Sequence, residues 1–375
     1  MSEVSAVALR RSPLEQLHRS SGATMTEREG WSGPGSFGDE LFEYAAVRER
    51  GVGLLDLSSR GRLLVSGSEA VAFLNGLITN DMKTLEENRW MPAVFPNVQG
   101  RLLASVRVIR VADDQGKPNF VIDTEAATHD RVLQTIQKFT LAGDFHVTDL
   151  TTSTALLSLQ GNDAAEKLTR VLGANGATIP VKGVLQSVWQ GDQITVVRAT
   201  HTGAPGFDLF VNNEQAEQLW QSLKTAGTRP IGDDALEILR IEAGVPRFGL
   251  DMDDTTVVTE TNLDDAVSYT KGCYVGQEII ARIKYRGHVA KKLRGLAFES
   301  AAVIEARAPL KSTDGKEIGN ITSTTYSPHF GKRIALGYLK YDYISAGTKV
   351  MAGNNARVEV VDLPFLNQSA GIEVG

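Results

Sequence analysis

The chain changes its punctuation at Lys291, and no other feature of the sequence limits the architecture more firmly. Beyond that residue, turn pairs at Asp314-Gly315, Gly319-Asn320, Ala346-Gly347 and Gly353-Asn354 separate short strand-forming runs with no helical period between them. A terminal stretch of about eighty residues built this way predicts an all-β barrel, the closure that leaves no strand edge open. Upstream the pattern is different. Arg62–Val65 reads as a strand, Gly67-Ser68 as a turn and Ser68–Leu77 as a helix, and the same order recurs at Leu156–Leu159, Gly161-Asn162-Asp163 and Ala164–Leu172. Gly67/Gly161, Ala70/Ala164 and Leu74/Leu168 match in spacing, which predicts two related α+β units.

The remaining elements fill in around these units. Strands are expected at Leu102–Val111, Asn119–Asp123, Val184–Trp189, Gln193–Arg198 and Phe207–Val211. Helices are expected at Glu40–Arg50, Ala127–Phe139, Glu214–Ala226 and Asp233–Glu242, the last with two aspartates at its start and Gly244 as its stop. Residues 1–36 are polar, turn glycine-rich toward their end and read as an arm with a short helix near Pro13–Ser20.

Charge and composition exclude several classes. The 375 residues carry 39 Lys and Arg against 45 Asp and Glu, a net charge of −6 that is unlike the footprint of a nucleic-acid binder. No window approaches 18 uninterrupted apolar residues, so no membrane span is expected. Arg10-Arg11 is followed by Ser12-Pro13-Leu14-Glu15 where a secretion signal needs an apolar run, and a cytoplasmic setting is the expectation. The single cysteine, Cys273, forbids an internal disulfide and fits a reducing compartment. Within this balance the charge reverses locally. Asp233 to Asp265 is strongly acidic, whereas Arg282, Lys284, Arg286, Lys291, Lys292 and Arg294 form a basic run suited to a polyanion or to a solvated barrel strand.

Three places can carry chemistry. In Lys271-Gly272-Cys273-Tyr274-Val275-Gly276-Gln277-Glu278, a cation and a helix N-terminus expected at Gln277 both favour thiolate at Cys273; the alternative is a cysteine packed as a small apolar residue. Thr202-Gly203-Ala204-Pro205-Gly206-Phe207-Asp208 holds an acid at the end of a glycine turn, and Arg240 stands on the last turn of an acidic helix. A carboxylate can accept two parallel N–H bonds and an arginine can fork onto a carboxylate, although each can equally belong to a surface ion pair. The six histidines never pair at i+3 or i+4, Asp251–Asp254 lacks the glycine and distal glutamate of a calcium loop, and no phosphate-cradling loop is present. No metal is expected.

With these residues in view, the chain resembles the folate-binding family of the glycine-cleavage T-protein, an aminomethyltransferase, and within it the YgfZ-type branch. The likeness begins with Pro13-Leu14, His18, Gly22-Ala23, Val47-Arg48, Gly51 and Asp56-Leu57-Ser58, and runs through Asn80-Asp81, Leu159-Gln160-Gly161, Thr202 to Asp208 and Leu239 to Gly244. Lys271 to Glu278 resembles the branch signature. The resemblance implies an α+β fold of three domains in a ring around a central folate pocket: an arm at 1–36, a discontinuous folate-binding domain at 37–150 and 230–285, a ferredoxin-like α+β domain at 151–229, and a barrel at 286–375. It further implies that Asp208, Arg240 and Asn97 bind tetrahydrofolate or a one-carbon derivative, with basic residues for a polyglutamate tail, and that Cys273 and Lys271 face the cavity as catalytic candidates. T-proteins carry Gly-Gly-x-x-Asp-Asp after the Asn97 position; here Ala104 and Ser105 replace the two acids. Alanine can neither orient nor exchange a proton. The expectation is therefore a folate-binding accessory protein for iron–sulfur cluster assembly or repair, supporting tRNA modification through its clients. Its partners would be folate and iron–sulfur proteins or their assembly factors, with neither nucleic acid nor membrane bound directly. An active aminomethyltransferase and a folate sensor that only binds partners are the alternatives.

Overall fold

The computed structural model describes residues 9–49, 51–138, 140, 143–300 and 304–368. The expected arm is folded from Arg10 onward, which corrects the sequence reading. Strands β1 (Arg10–Arg11), β2 (Thr24–Arg28) and β3 (Trp31–Ser36) form a sheet in the order β1-β3-β2, with helix α1 (Glu15–Ser20) between the first two strands. Its polar, glycine-rich look comes from a hairpin turn. Arg28 pairs with Trp31, and both intervening residues, Glu29 and Gly30, have positive φ (53° and 78°), the geometry that matches strand twist.

Two larger sheets follow. The first has the order β6-β7-β8-β5-β9, made of β5 (Gly61–Ser66), β6 (Arg89–Pro96), β7 (Leu102–Asp114), β8 (Lys117–Thr124) and β9 (His146–Asp149). Helices α3 (Ala70–Leu77) and α4 (His129–Gln137) cover one face through Leu74, Val132 and Ile136 packed on Leu63, Val106 and Phe120. Phe139, the expected end of α4, lies outside the described residues.

The second sheet has the order β11-β12-β13-β10-β4-β14, made of β4 (Gly53–Asp56), β10 (Thr154–Gln160), β11 (Val184–Trp189), β12 (Asp192–Arg198), β13 (Gly206–Asn212) and β14 (Arg229–Pro230). Alternation splits its strands between two cores. Leu54 and Leu157 face α5 (Ala164–Leu172) and α6 (Asn213–Thr225), whereas Leu55 and Leu156 face α2 (Glu40–Arg48) and α7 (Asp233–Glu242). Because β4 lies well before 151–229 and β14 straddles its end, the sheet draws on more of the chain than that segment.

The repeated strand-turn-helix order is present in both sheets. Gly67 and Gly161 have φ of 118° and 143°, and a Cβ on either would stand 2.1 or 2.4 Å from a backbone carbonyl oxygen. That close approach is why both positions need glycine. After helix α8 (Gln277–Arg286) the chain closes the expected barrel, β15 (Lys291–Phe298), β16 (Pro309–Lys311), β17 (Glu317–Ser327), β18 (Lys332–Lys340), β19 (Lys349–Ala352) and β20 (Ala356–Val361), in the order β15-β18-β17-β16-β19-β20.

Helix α7 joins barrel to body. On one side Leu236 and Leu239 pack under the second sheet; on the other, Ile241 packs with Leu293, Ile334 and Leu336 of the barrel. Buried Glu242 accepts from Tyr44 (2.7 Å), Arg48 (2.7 Å) and Ser327 (2.5 Å), tying α2, α7 and β17 into one junction.

Candidate functional site

A cavity of about 300 Å³ opens where the N-terminal sheet, the two larger sheets and α7 meet. The β2–β3 turn brings Arg28 and Glu29 to it, the segment after β4 brings Arg60, and the loop after β12 brings His201. Trp90 of β6, Arg240 of α7 and Arg247 complete much of the wall, and among the described residues the barrel contributes none to the lining. On β7, Ser105 and Arg107 line the cavity, while Ala104 joins Val106 and Val108 in the core of the first sheet. Of Ala104 and Ser105, the cavity therefore meets Ser105.

Behind the wall runs a buried chain of charges. Asp123 accepts two bonds from Arg60, both at 2.8 Å, and one from Arg107 Nε at 2.6 Å. Arg107 Nη2 lies 2.6 Å from Asp208, whose oxygens also stand 3.0 and 3.2 Å from His201 Nε2. Burial alone would raise the Asp208 carboxyl; His201 and Arg107 outweigh it and hold the group well below the usual carboxylate range. The same contest at Asp123 is decided by Arg107 and Arg60, again downward. Gln160 fixes the loop by accepting from the His201 N–H (3.0 Å) and the Thr202 hydroxyl (3.2 Å).

Glu125 differs from the aspartates around the cavity. Its carboxylate receives the Phe248 N–H at 3.1 Å, and among the described residues no cation lies within ion-pairing distance of it. Burial raises its pKa to about 7, opposed by Arg60, assisted by Glu29 and opposed again by the Phe248 N–H and Arg247.

The residues expected from sequence are distributed unevenly. Asp208 is fully buried and does not line the cavity; Arg107 and His201, which hold it, do. Arg240 lines the cavity, yet it is spent largely on structure, donating to Asp251 (2.5 Å), Ser323 (2.6 Å), the Val245 carbonyl (3.2 Å) and Glu237. Asn97 closes the β6–β7 turn, its side-chain oxygen accepting from the Gln99 and Arg101 N–H groups. Lys271 does not reach the cavity either: its ammonium donates to the carbonyls of Asn75 (2.6 Å), Ile78 (2.8 Å) and Asn80 (2.7 Å), satisfying the C-terminal end of α3. Burial pushes this ammonium down to about 8, with Asp81 pulling the other way. Cys273 is exposed, so the expectation that it faces the cavity or packs in a core is corrected.

The rest of the motif is a brace. Tyr274 is buried against Val94, Leu102 and Phe248, and Gly276, at φ 77°, lies so close to the β6–β7 turn that a Cβ would stand 2.4 Å from the Asn97 carbonyl. Gln277 and Glu278 open α8, and Gly272 is exposed.

Arg60, Arg107, Asp123, Glu125 and His201 escaped the sequence reading. The signal available was a charge within an apolar strand: Asp123 ends the run Phe120-Val121-Ile122, and Arg107 interrupts Val106 and Val108. Among the described residues there is no group of three or more potential metal ligands, and no helix is long and apolar enough to cross a membrane.

Comparison with known proteins adds an independent line. Residues 14–271 match the GCVT N-terminal domain, and residues 291–367 match the glycine cleavage T-protein C-terminal barrel domain. The chain is 31% identical to the aminomethyltransferase of Thermotoga neapolitana, over 96% of this chain and 99% of that one. It is 30% identical to the aminomethyltransferase of Streptomyces coelicolor, with coverage of 96% and 99%. The crystal structure of the glycine cleavage system aminomethyltransferase T from Bartonella henselae superposes with a TM-score of 0.88 at 25% identity, covering 96% and 99% of the two chains.

Proposed function

Because the chain belongs to the glycine-cleavage T-protein (aminomethyltransferase) family, we propose that its arginine-lined cavity binds tetrahydrofolate or a one-carbon derivative of it. The observation that carries this reading is the donor set. Arg107 Nη1 and Arg240 Nε are buried without a hydrogen-bond partner among the described residues, and both belong to side chains lining the cavity. They suit a ligand rich in ring nitrogens, carbonyls and carboxylates. Arg28 and Arg247 supply further positive charge for an anionic tail, polyglutamylated or not. Asp208 acts here through Arg107 and His201, by fixing the direction in which each presents its remaining nitrogens. The full-length relatives named aminomethyltransferase favour transfer of a one-carbon unit from an aminomethyl donor to the bound folate.

A second reading has its own support. The Lys271 to Glu278 motif resembles the YgfZ-type signature, its one thiol lies outside the cavity where a partner protein can reach it, and Ser105 stands at the cavity where T-proteins have an acid. On that reading the protein binds folate and assists iron–sulfur proteins in a cytoplasmic setting. Calorimetric titration with tetrahydrofolate tests the shared premise, with saturable one-to-one binding expected. Incubation with an aminomethylated lipoyl carrier then separates the two: release of ammonia with formation of methylenetetrahydrofolate supports the transferase, and binding without turnover supports the accessory role.

A further inference from the structure

We propose that Glu125 is the proton-exchanging carboxyl of the cavity and that Glu29, on the β2–β3 turn, sets when it exchanges. The inference rests on the folate reading and names a residue for acid–base work at that site. Its basis is the arrangement of groups around one side chain. The aspartates on or behind the cavity wall each have a basic partner: Asp56 is held by His18 at 2.8 Å and by Ser12, Asp233 faces Arg28 at 3.5 Å, and Asp123 and Asp208 each touch an arginine at 2.6 Å, whereas among the described residues the two glutamates, Glu29 and Glu125, form no ion pair. Glu125 has one N–H donor, from Phe248, and no cation within ion-pairing distance among the described residues.

The surroundings of Glu125 come from three segments. Arg60 approaches from the chain after β4, and Arg247 and the Phe248 N–H from the chain after α7. Glu29 approaches from the N-terminal sheet, its own carboxylate fixed by the Ala127 N–H at 3.1 Å. The negative charge of Glu29 at the same cavity disfavours ionisation of Glu125 and so adds to the effect of burial. Such a group is divided between acid and base near neutral pH, as general acid–base work requires. The step is a simple proton transfer: the O–H bond of the Glu125 carboxyl breaks as an N–H bond forms on an amine of the ligand, or the reverse, with no other reactant. The turn position of Glu29 makes the N-terminal sheet a determinant of this equilibrium.

The test is calorimetry of tetrahydrofolate binding at pH 7 in two buffers of different ionisation enthalpy. Wild-type protein should exchange about half a proton per site, the amount held back by a group titrating near that pH. Glu125→Gln should exchange almost none, and Glu29→Gln should move the pH at which exchange is greatest downward. Carboxyl carbon NMR of the free wild-type protein gives a second readout: one glutamate should titrate near neutrality and shift to lower pH in Glu29→Gln. Unchanged proton exchange in a folate-binding Glu125→Gln variant overturns the proposal alone, as does a wild-type spectrum in which every glutamate titrates below about pH 5.5, close to the ordinary range. Wild-type protein that fails to bind tetrahydrofolate overturns the folate reading and this inference with it.

Discussion

Arg60 and Arg107 balance Asp123 and Asp208 in one buried cluster, so removing Asp208 leaves a positive charge in excess there. Asp208→Ala is therefore expected to cost about 3–5 kcal/mol of stability and to weaken tetrahydrofolate binding at least tenfold, about 1.4 kcal/mol, by freeing Arg107 and His201. Urea denaturation and calorimetry measure the two effects, and unchanged affinity would remove the cavity from the binding site. Lys271 makes the opposite prediction. Lys271→Met deprives three carbonyls at the end of α3 of their donor, so it should cost about 2–4 kcal/mol while folate affinity stays within twofold. For Glu125 the sign follows from its raised pKa. Its contribution to stability is complete below the unfolded value of 4.5 and is lost as pH rises through about 7, so Glu125→Gln should gain stability relative to wild type between pH 5 and pH 8. A difference that stays flat over that range would contradict the assignment. The sequence exposes the rarity of Cys273 and the oddity of Asp123 in an apolar strand; it cannot join Asp123 to Arg60 and Arg107, because the three arrive from separate segments. Rarity also says nothing of direction, and the thiol points outward.

The element that most changes meaning is the loop leading into α8. Its residues read as chemistry, yet they pin three pieces together: Lys271 to the end of α3, the Val275 N–H to the Gly76 carbonyl at 3.1 Å, and Gly276 to the β6–β7 turn. Gly276→Ala meets both a left-handed backbone and the Asn97 carbonyl, so it should destabilise by at least about 1 kcal/mol. Cys273, outside the cavity, should be alkylated in the native protein at a rate that saturating tetrahydrofolate does not slow. Protection by folate would return the thiol to the site. At this scale the sequence is legible where signals are local. Helix α7 begins and ends where its aspartates and Gly244 place it, whereas the N-terminal sheet is hidden because a Glu-Gly hairpin turn looks like a polar linker.

Across the whole molecule, barrel and body meet through the apolar packing of Ile241 and through buried polar links at Glu242 and at the set around Arg240, Asp251 and Ser323. Glu242→Ala should lower the urea midpoint by the equivalent of about 3–5 kcal/mol, since it strands Arg48 in a buried site; Glu242→Gln should cost less. An unchanged midpoint would show that the junction is not held there. The barrel was legible as a class because its turns are local, but the pairing of β15 with β18 and β20 spans the domain and leaves no mark in spacing. The route of the chain through its sheets also dictates how it emerges during synthesis. Strand β4, residues 53–56, is made long before its partners β10 and β14 at 154–160 and 229–230, while the sheet of residues 61–149 lies complete between them. At about 5–20 residues per second, β4 waits on the order of ten seconds for β10. Through that interval the nascent chain is still building the first sheet while the Leu54-Leu55 strand stays unpaired, and its first partner is complete only when residue 160 has left the ribosome.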